Sequence, residues 1–225
     1  MKLLPFALLA GLLAAPLPNA CAAPAAASPA AAPAPTPEAR ADALFAKWNK
    51  PGMPGAVVAV IRDGKTVLRK AYGMADIERG VPMRPDAVLN AGSVTKQFTA
   101  FAVHLLEQEG KLSLDDEVHV HLPELPDFGQ PITLRQLMQH TSGLRDPINL
   151  MVLGGWRLDD IVTPEDTLGL IARQRALNFK PGDEYLYSNA GYNLLAEIVR
   201  RRSGKPLPAV IRERNFSPLG MRHSK

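Results

Sequence analysis

The chain has 225 residues, of which 46% are hydrophobic and 21% charged, with a formal net charge of +4. That balance supports a globular core and excludes a disordered or fibrous chain. It does not mark a nucleic-acid binder. Basic residues are scattered, and the densest group, Arg200, Arg201, Arg202 and Lys205, closes a predicted helix where cations complement the dipole.

In chain order, Lys2 precedes an apolar run from Leu3 to Leu17, followed by the small residues Ala20, Cys21 and Ala22. This pattern predicts a secretory signal over 1–22 and an exported protein, periplasmic or secreted. The run is too short for a membrane span and contains Pro5 and Pro16. Cys21 is the single cysteine, so no internal disulfide forms. Two readings stay open there. Either cleavage leaves a soluble chain, or Cys21 becomes an acylated lipid anchor. Pro18 and Asn19 differ from the usual residues ahead of a lipidated cysteine, and this favours the soluble form. Residues 23–36 are rich in Ala and Pro and read as a linker. The folded domain is expected over 37–225.

Thr36 and Pro37 are a cap and a first helical residue, and Ala41, Leu44, Phe45 and Trp48 follow at helical spacing. A hairpin is predicted next. Ala56 to Ile61 is an unbroken apolar run, Asp63-Gly64 is a turn, and Thr66 to Tyr72 is the second strand. An unbroken run predicts burial on both faces. Further helices are expected at about 94–109, 133–140, 164–174, 190–202 and 207–214. The fold class is therefore α/β in the α+β sense, a helical part with little sheet.

Ser93-Val94-Thr95-Lys96 is the single Ser-x-x-Lys of the chain. Val94, Phe98, Phe101, Ala102, Leu105 and Leu106 predict the buried face of the helix that follows, and Gly110 ends it. Ser93 then sits at a helix N-terminus with Lys96 one turn on, on the same side. A nucleophilic hydroxyl needs a base within hydrogen-bond reach, and a helix N-terminus adds positive potential for a developing oxyanion. The plainer alternative is a serine that only caps its helix and a lysine on the surface. Tyr187-Ser188-Asn189 is the single Tyr-x-Asn and precedes another predicted helix. Tyr187 can share proton transfer with Lys96, and Asn189 can hold substrate and orient the lysine. Alternatively Asn189 caps the helix and Tyr187 packs. Leu137 to Leu144 reads as a helix end and turn bordering a site.

Taken together, Ala91-Gly92-Ser93-Val94-Thr95-Lys96-Gln97-Phe98-Thr99, His140-Thr141-Ser142-Gly143-Leu144 and Tyr187-Ser188-Asn189-Ala190-Gly191-Tyr192-Asn193 resemble the serine β-lactamase-related family. That family includes class C β-lactamases, DD-peptidases, D-aminopeptidases and esterases. The resemblance runs from about residue 40 to 225, in order and spacing. It implies a helical subdomain plus an antiparallel sheet, and an acyl-enzyme on Ser93. It also implies Lys96 and Tyr187 as the proton-transfer pair and Asn189 as a polar substrate-binding residue. A free lysine near 10.4 costs about 4–5 kcal/mol to neutralise at pH 7, and a tyrosine near 10 about 4 kcal/mol to ionise. A partly closed cleft is therefore expected to prepare the pair, whose titrations are coupled.

The family's third signature, a Lys- or His-led x-Gly motif on a later strand, has no counterpart in the chain, which ends at Pro218-Leu219-Gly220-Met221-Arg222-His223-Ser224-Lys225. The expectation is an incomplete sheet and cleft, since losing one oxyanion donor alone costs about 10²–10³ in turnover. A non-catalytic remnant of the same fold is the alternative. No cofactor or metal is expected. His119 and His121 lack a third ligand in register, His104 reads as structural, and His140 as ordering its turn. Asp115, Asp116 and Glu117 read as a solvated loop, and Trp48 and Trp156 as core or cleft-lining residues, with core preferred. No Gly-x-Ser-x-Gly elbow surrounds Ser93, which argues against an α/β-hydrolase.

Overall fold

The computed structural model describes residues 34–157 and 159–224. The signal segment, Cys21 and most of the expected linker lie outside the described residues. The chain divides into two compact units, one up to Ala87 and one from Val88 onward.

The first unit opens with helix α1, Pro37–Phe45. Thr36 caps it by accepting from the Ala39 N–H at 3.2 Å, and Pro37 occupies the first turn, where its missing N–H is harmless. Strands β1, Ala56–Arg62, and β2, Lys65–Tyr72, pair antiparallel around Asp63-Gly64. Both turn residues have positive φ, 50° and 71°, as a tight two-residue hairpin needs. Two short strands, β3 Met74–Asp76 and β4 Val81–Pro82, form a second ladder that the sequence pattern missed. Leu68, Tyr72 and Ala41 make a small core with Phe45 and Val58 against it. Phe45 stacks on Tyr72 at 4.8 Å between centroids. Asp42 accepts from both the Tyr72 hydroxyl at 3.0 Å and Lys70 Nζ at 2.8 Å.

The burial expected of β1 is not found. Ala56 to Val58 are half-buried and Ala59 to Arg62 are exposed, with Ile61 68% exposed. The apolar run therefore has too few neighbours to cover both faces. The sheet of this unit is two strands wide, and its small core reaches β1 only at Val58.

The second unit is helical: α2 Lys96–Gln108, α3 Leu134–Gln139, α4 Pro147–Leu153, α5 Pro164–Ala172, α6 Asn189–Ser203 and α7 Leu207–Ile211. The expected helices are present with shifted ends. The last one widens into a π-helical turn over Arg212–Phe216. α4 was not anticipated, because seven residues hold too little periodicity to register. Capping boxes start α3 at Thr133 with Gln136 and α5 at Thr163 with Asp166. The core joins Ala102, Val103 and Leu106 of α2 to Leu194, Leu195, Ile198 and Val199 of α6, with Leu134, Leu137 and Ile171.

The buried face of α2 is Thr99, Ala102, Val103 and Leu106. Val94 and Phe101 were expected inside but are exposed at 62% and 37%. A 3₁₀ turn over Gly92–Thr95 precedes α2, so Val94 lies outside the 3.6-residue register that set the expectation. The basic end of α6 is tied down. Arg200 and Arg201 pair with Glu197, Arg201 also pairs with Glu124, and Arg202 donates to His121 Nδ1 at 2.7 Å. Among the described residues no helix is long and apolar enough to cross a membrane.

Candidate active site

Ser93 sits on the 3₁₀ turn that leads into α2, and Lys96 is the first residue of that helix. The turn is braced from within. Asn90 Oδ1 accepts from the Gly92 N–H at 2.8 Å, and the Thr95 hydroxyl donates to the Gly92 carbonyl at 2.7 Å. Gly92 has φ 52°, a value that suits glycine. The serine does not cap its helix. Neither the turn nor α2 has a side-chain cap bond, and the Ser93 hydroxyl is engaged elsewhere.

Tyr187 and Asn189 arrive on a separate segment. Ser188 has extended backbone, is buried, and caps α6 by accepting from the Ala190 N–H at 3.1 Å. Asn189 is the first helical residue, and its side chain is free for other work. The segment is clasped to the end of α3: the Leu186 N–H donates to the His140 carbonyl at 3.0 Å, and His140 Nδ1 lies 3.1 Å from the Ser188 carbonyl. His140 ends α3 in the left-handed conformation, φ 60°. Its ring stacks obliquely on Tyr187, 4.5 Å between centroids, and stands 5.4 Å from Tyr192.

The structure brings all four sequence-predicted residues together. Ser93 Oγ and the Tyr187 hydroxyl are 2.6 Å apart. Lys96 Nζ donates to Ser93 Oγ at 3.2 Å and to Asn189 Oδ1 at 2.8 Å. The ammonium also stands 5.0 Å from the Tyr187 ring centre and 5.4 Å from that of Tyr192. The Lys96 cation and the Ser93 hydroxyl hold the Tyr187 phenol below the ordinary tyrosine range. Burial, helped by Lys96, pushes His140 below the usual histidine value and so favours the neutral imidazole. Burial raises Tyr192.

Asp146 was missed. It starts α4 and touches Asn189 across the fold, and no spacing rule links the two. The available signal was the sequence Arg145-Asp146-Pro147, an N-cap followed by proline. The four residues lie in an open setting, as an incomplete cleft implies. Ser93 and Tyr187 are exposed, Tyr187 by 43%, while Lys96 and Asn189 are half-buried. A groove of about 620 Å³ does exist among α5, α6 and α7, but none of the four residues lines it.

Several of the other polar residues that the sequence singled out have structural partners. His121 Nε2 lies 3.0 Å from Asp116, and His119 Nε2 lies 3.1 Å from the Pro126 carbonyl. Among the described residues no three His, Cys, Asp or Glu side chains converge as a metal site would require. His104 is exposed beside Glu107. Asp116 is not merely solvated, since it also accepts from the Ser113 N–H. Trp48 and Trp156 are only half-buried.

The hydroxyl beside a lysine at a helix N-terminus, with a tyrosine and an asparagine opposite, is carried here by a β-lactamase-like fold. The chain belongs to the Beta-lactamase family, which it matches over residues 40–225. It is 39% identical to a D-aminopeptidase of Cereibacter sphaeroides over 170 residues, 75% of this chain and 32% of that protein. Among solved structures it resembles the octameric penicillin-binding protein homologue from Pyrococcus abyssi, with a TM-score of 0.69 and 32% identity over 82% of this chain and 42% of that one. The D-amino acid amidase from Ochrobactrum anthropi SV3 gives a TM-score of 0.65 at 32% identity over 75% of this chain and 45% of that one. The chain thus spans about a third of the length of the curated relatives and under half of these solved chains.

Proposed function

We propose that the protein is a serine hydrolase that forms an acyl-enzyme on Ser93, with Lys96 and Tyr187 moving protons and Asn189 contacting substrate. The observation that carries this reading is the 2.6 Å approach of the Ser93 and Tyr187 hydroxyls beside the Lys96 ammonium. Lys96 donates to Ser93 Oγ, and the Ser93 and Tyr187 hydroxyls share one hydrogen bond along which the serine proton can reach the phenolic oxygen. In acylation Ser93 Oγ bonds to the carbonyl carbon and its proton passes to Tyr187 in its phenolate form, which the Lys96 cation favours; the bond to the leaving group then breaks as the Tyr187 phenol returns that proton to the departing amine or alcohol. Water repeats the sequence and releases the acid. The N-terminal end of α2 adds positive potential at the carbonyl oxygen.

The bond attacked is an amide, a β-lactam or an ester. The similarity to proteins named D-aminopeptidase and D-amino acid amidase favours an amide of a D-amino acid. The same reading includes export, supported by the leader-like residues 1–22. Incubation with a fluorescent fluorophosphonate or penicillin tests the proposal. Covalent label is expected on the parent chain and absent from Ser93→Ala. A parent that stays unlabelled by both probes, or a Ser93→Ala variant that labels equally, defeats it.

A further inference from the structure

Asp146 performs two tasks at once. Its Oδ1 accepts from the N–H groups of Ile148 at 2.9 Å and Asn149 at 3.4 Å, which caps α4. Its Oδ2 accepts from the Asn189 backbone N–H at 2.6 Å and from Asn189 Nδ2 at 2.9 Å, across 43 residues of chain. Ser188 already caps α6. The contact to the Asn189 side chain is therefore not needed to begin that helix.

An asparagine amide has an oxygen end and an NH₂ end, and its neighbours decide which faces where. With Nδ2 held by the carboxylate, the oxygen must point the other way, and there it meets Lys96 Nζ at 2.8 Å. A turned amide would set NH₂ donors against the ammonium and its oxygen against the carboxylate, two repulsive contacts in place of two charge-assisted bonds.

We propose that Asp146 is a positioning residue of the acylation centre: it fixes the Asn189 amide with its oxygen on Lys96 and so keeps the ammonium on Ser93. The kinetic consequence rests on the serine-hydrolase reading, whereas the orientation of the amide stands without it.

Asp146→Asn tests this closely, because asparagine is as good a helix cap. If its oxygen continues to cap α4, its NH₂ faces the two donors of Asn189, and that amide has to turn. Fluorophosphonate labelling of Ser93 is expected to slow by about 10–100-fold, by analogy with the loss of groups that orient metal ligands. Asp146→Ser, which keeps a cap but lacks the second oxygen, should slow it likewise. In an Asn189→Ala background the same substitutions should cost less than about 2-fold more, since the group they orient is gone. Labelling at the parent rate in both variants, or losses that multiply in the double variants, would overturn the proposal and reduce Asp146 to a cap.

A second measurement does not depend on activity. The Asn189 side-chain amide protons, assigned by their loss in Asn189→Ala, should exchange slowly in the parent and fast in Asp146→Asn. Fast exchange in the parent, or an unaltered signal in Asp146→Asn, overturns the proposal. Absence of label on the parent defeats only the hydrolase reading and leaves this measurement to decide Asp146.

Discussion

The hydroxyls of Ser93 and Tyr187 lie 2.6 Å apart although 94 residues separate them in the chain. Two features of the fold make this contact. The core shared by α2 and α6 fixes the helices on which the two motifs stand. Ser188 then turns inward to cap α6, so Tyr187 and Asn189 on either side of it reach Ser93 and Lys96.

Removing one oxygen should separate chemistry from packing. Tyr187→Phe deletes the bond to Ser93 but keeps the ring that lies against His140 at 4.5 Å. Ser93 labelling is expected to fall by about 10²–10⁴-fold, the usual worth of a positioned proton-transfer group, with little change in the melting midpoint. The parent should label faster as pH rises through the lowered Tyr187 value. Lys96→Met should move that rise to higher pH, because the cation that favours the phenolate is gone. An ultraviolet difference titration of the phenol checks the shift directly.

His140 supplies a pH dependence of the opposite kind. Its folded value lies below the ordinary histidine value of about 6.5, so folding favours the neutral ring. The associated stability is whole above about pH 6.5 and declines as pH falls through the lower folded value. The melting temperature of the parent should drop on acidification below about 6.5. His140→Asn, which tolerates the left-handed backbone at φ 60°, should flatten that drop. It should also slow Ser93 labelling, since the ring under Tyr187 is lost. Melting curves from pH 5 to 8 decide the first point and labelling rates the second.

The fold class and the meeting of Ser93, Lys96, Tyr187 and Asn189 were legible in the sequence, whereas long-range partners and burial were not. Ser93-x-x-Lys96 works through helix geometry, and Tyr187-x-Asn189 through a single inward residue, so local spacing carried both. Asp146 acts through a contact across 43 residues, and nothing local reports such a partner. The same limit explains β1. Apolar composition at Ala56 to Ile61 states what a strand can bury, but neighbours decide what it does bury, and Ile61 stays 68% exposed. Similarly, the 3.6-residue period placed α2 but put Val94 and Phe101 on its inner face. The 3₁₀ start changes the phase at Val94, whereas Phe101 lies within α2 and sits at the edge of its buried face.

Acid should also loosen the end of α6. Glu197 is held down to about 2 by Arg200 first, and by Arg201. A depressed carboxylate contributes stability above its ordinary value near 4.5, and loses it as pH falls toward the folded one. The arginines stand partly in solvent, so the contribution is about 1 kcal/mol or less. Glu197→Gln should therefore melt slightly lower than the parent at pH 7 and equally with it near pH 2. A difference that persists at pH 2 would assign the loss to packing.

The hairpin of the first unit predicts behaviour in solution. Among the described residues Val60, Ile61 and Val67 are exposed on a sheet two strands wide. Such a surface pairs with another chain. Light scattering should show association that grows with concentration, and Ile61→Lys should reduce it. A monodisperse parent with a sharp, reversible melt contradicts this.

A pair of glycine substitutions separates helix propensity from the fit of α3 on α6. Gly169 lies within α5, and a Cβ there would meet nothing nearer than Arg173 Nη2 at 3.9 Å. Gly169→Ala should stabilise the protein by about 0.5–1 kcal/mol through helix propensity alone. Gly191 lies in the first turn of α6, and a Cβ there would stand 2.6 Å from the Leu137 carbonyl oxygen, which is backbone and cannot swing aside. Gly191→Ala should instead destabilise by about 1–3 kcal/mol, the cost of overpacking. Because α6 would have to move away from α3, Asn189 would withdraw from Lys96, and Ser93 labelling should fall along with stability. Gly169→Ala should leave labelling at the parent rate. Equal effects of the two substitutions would show that the close approach at Gly191 does not hold the site together.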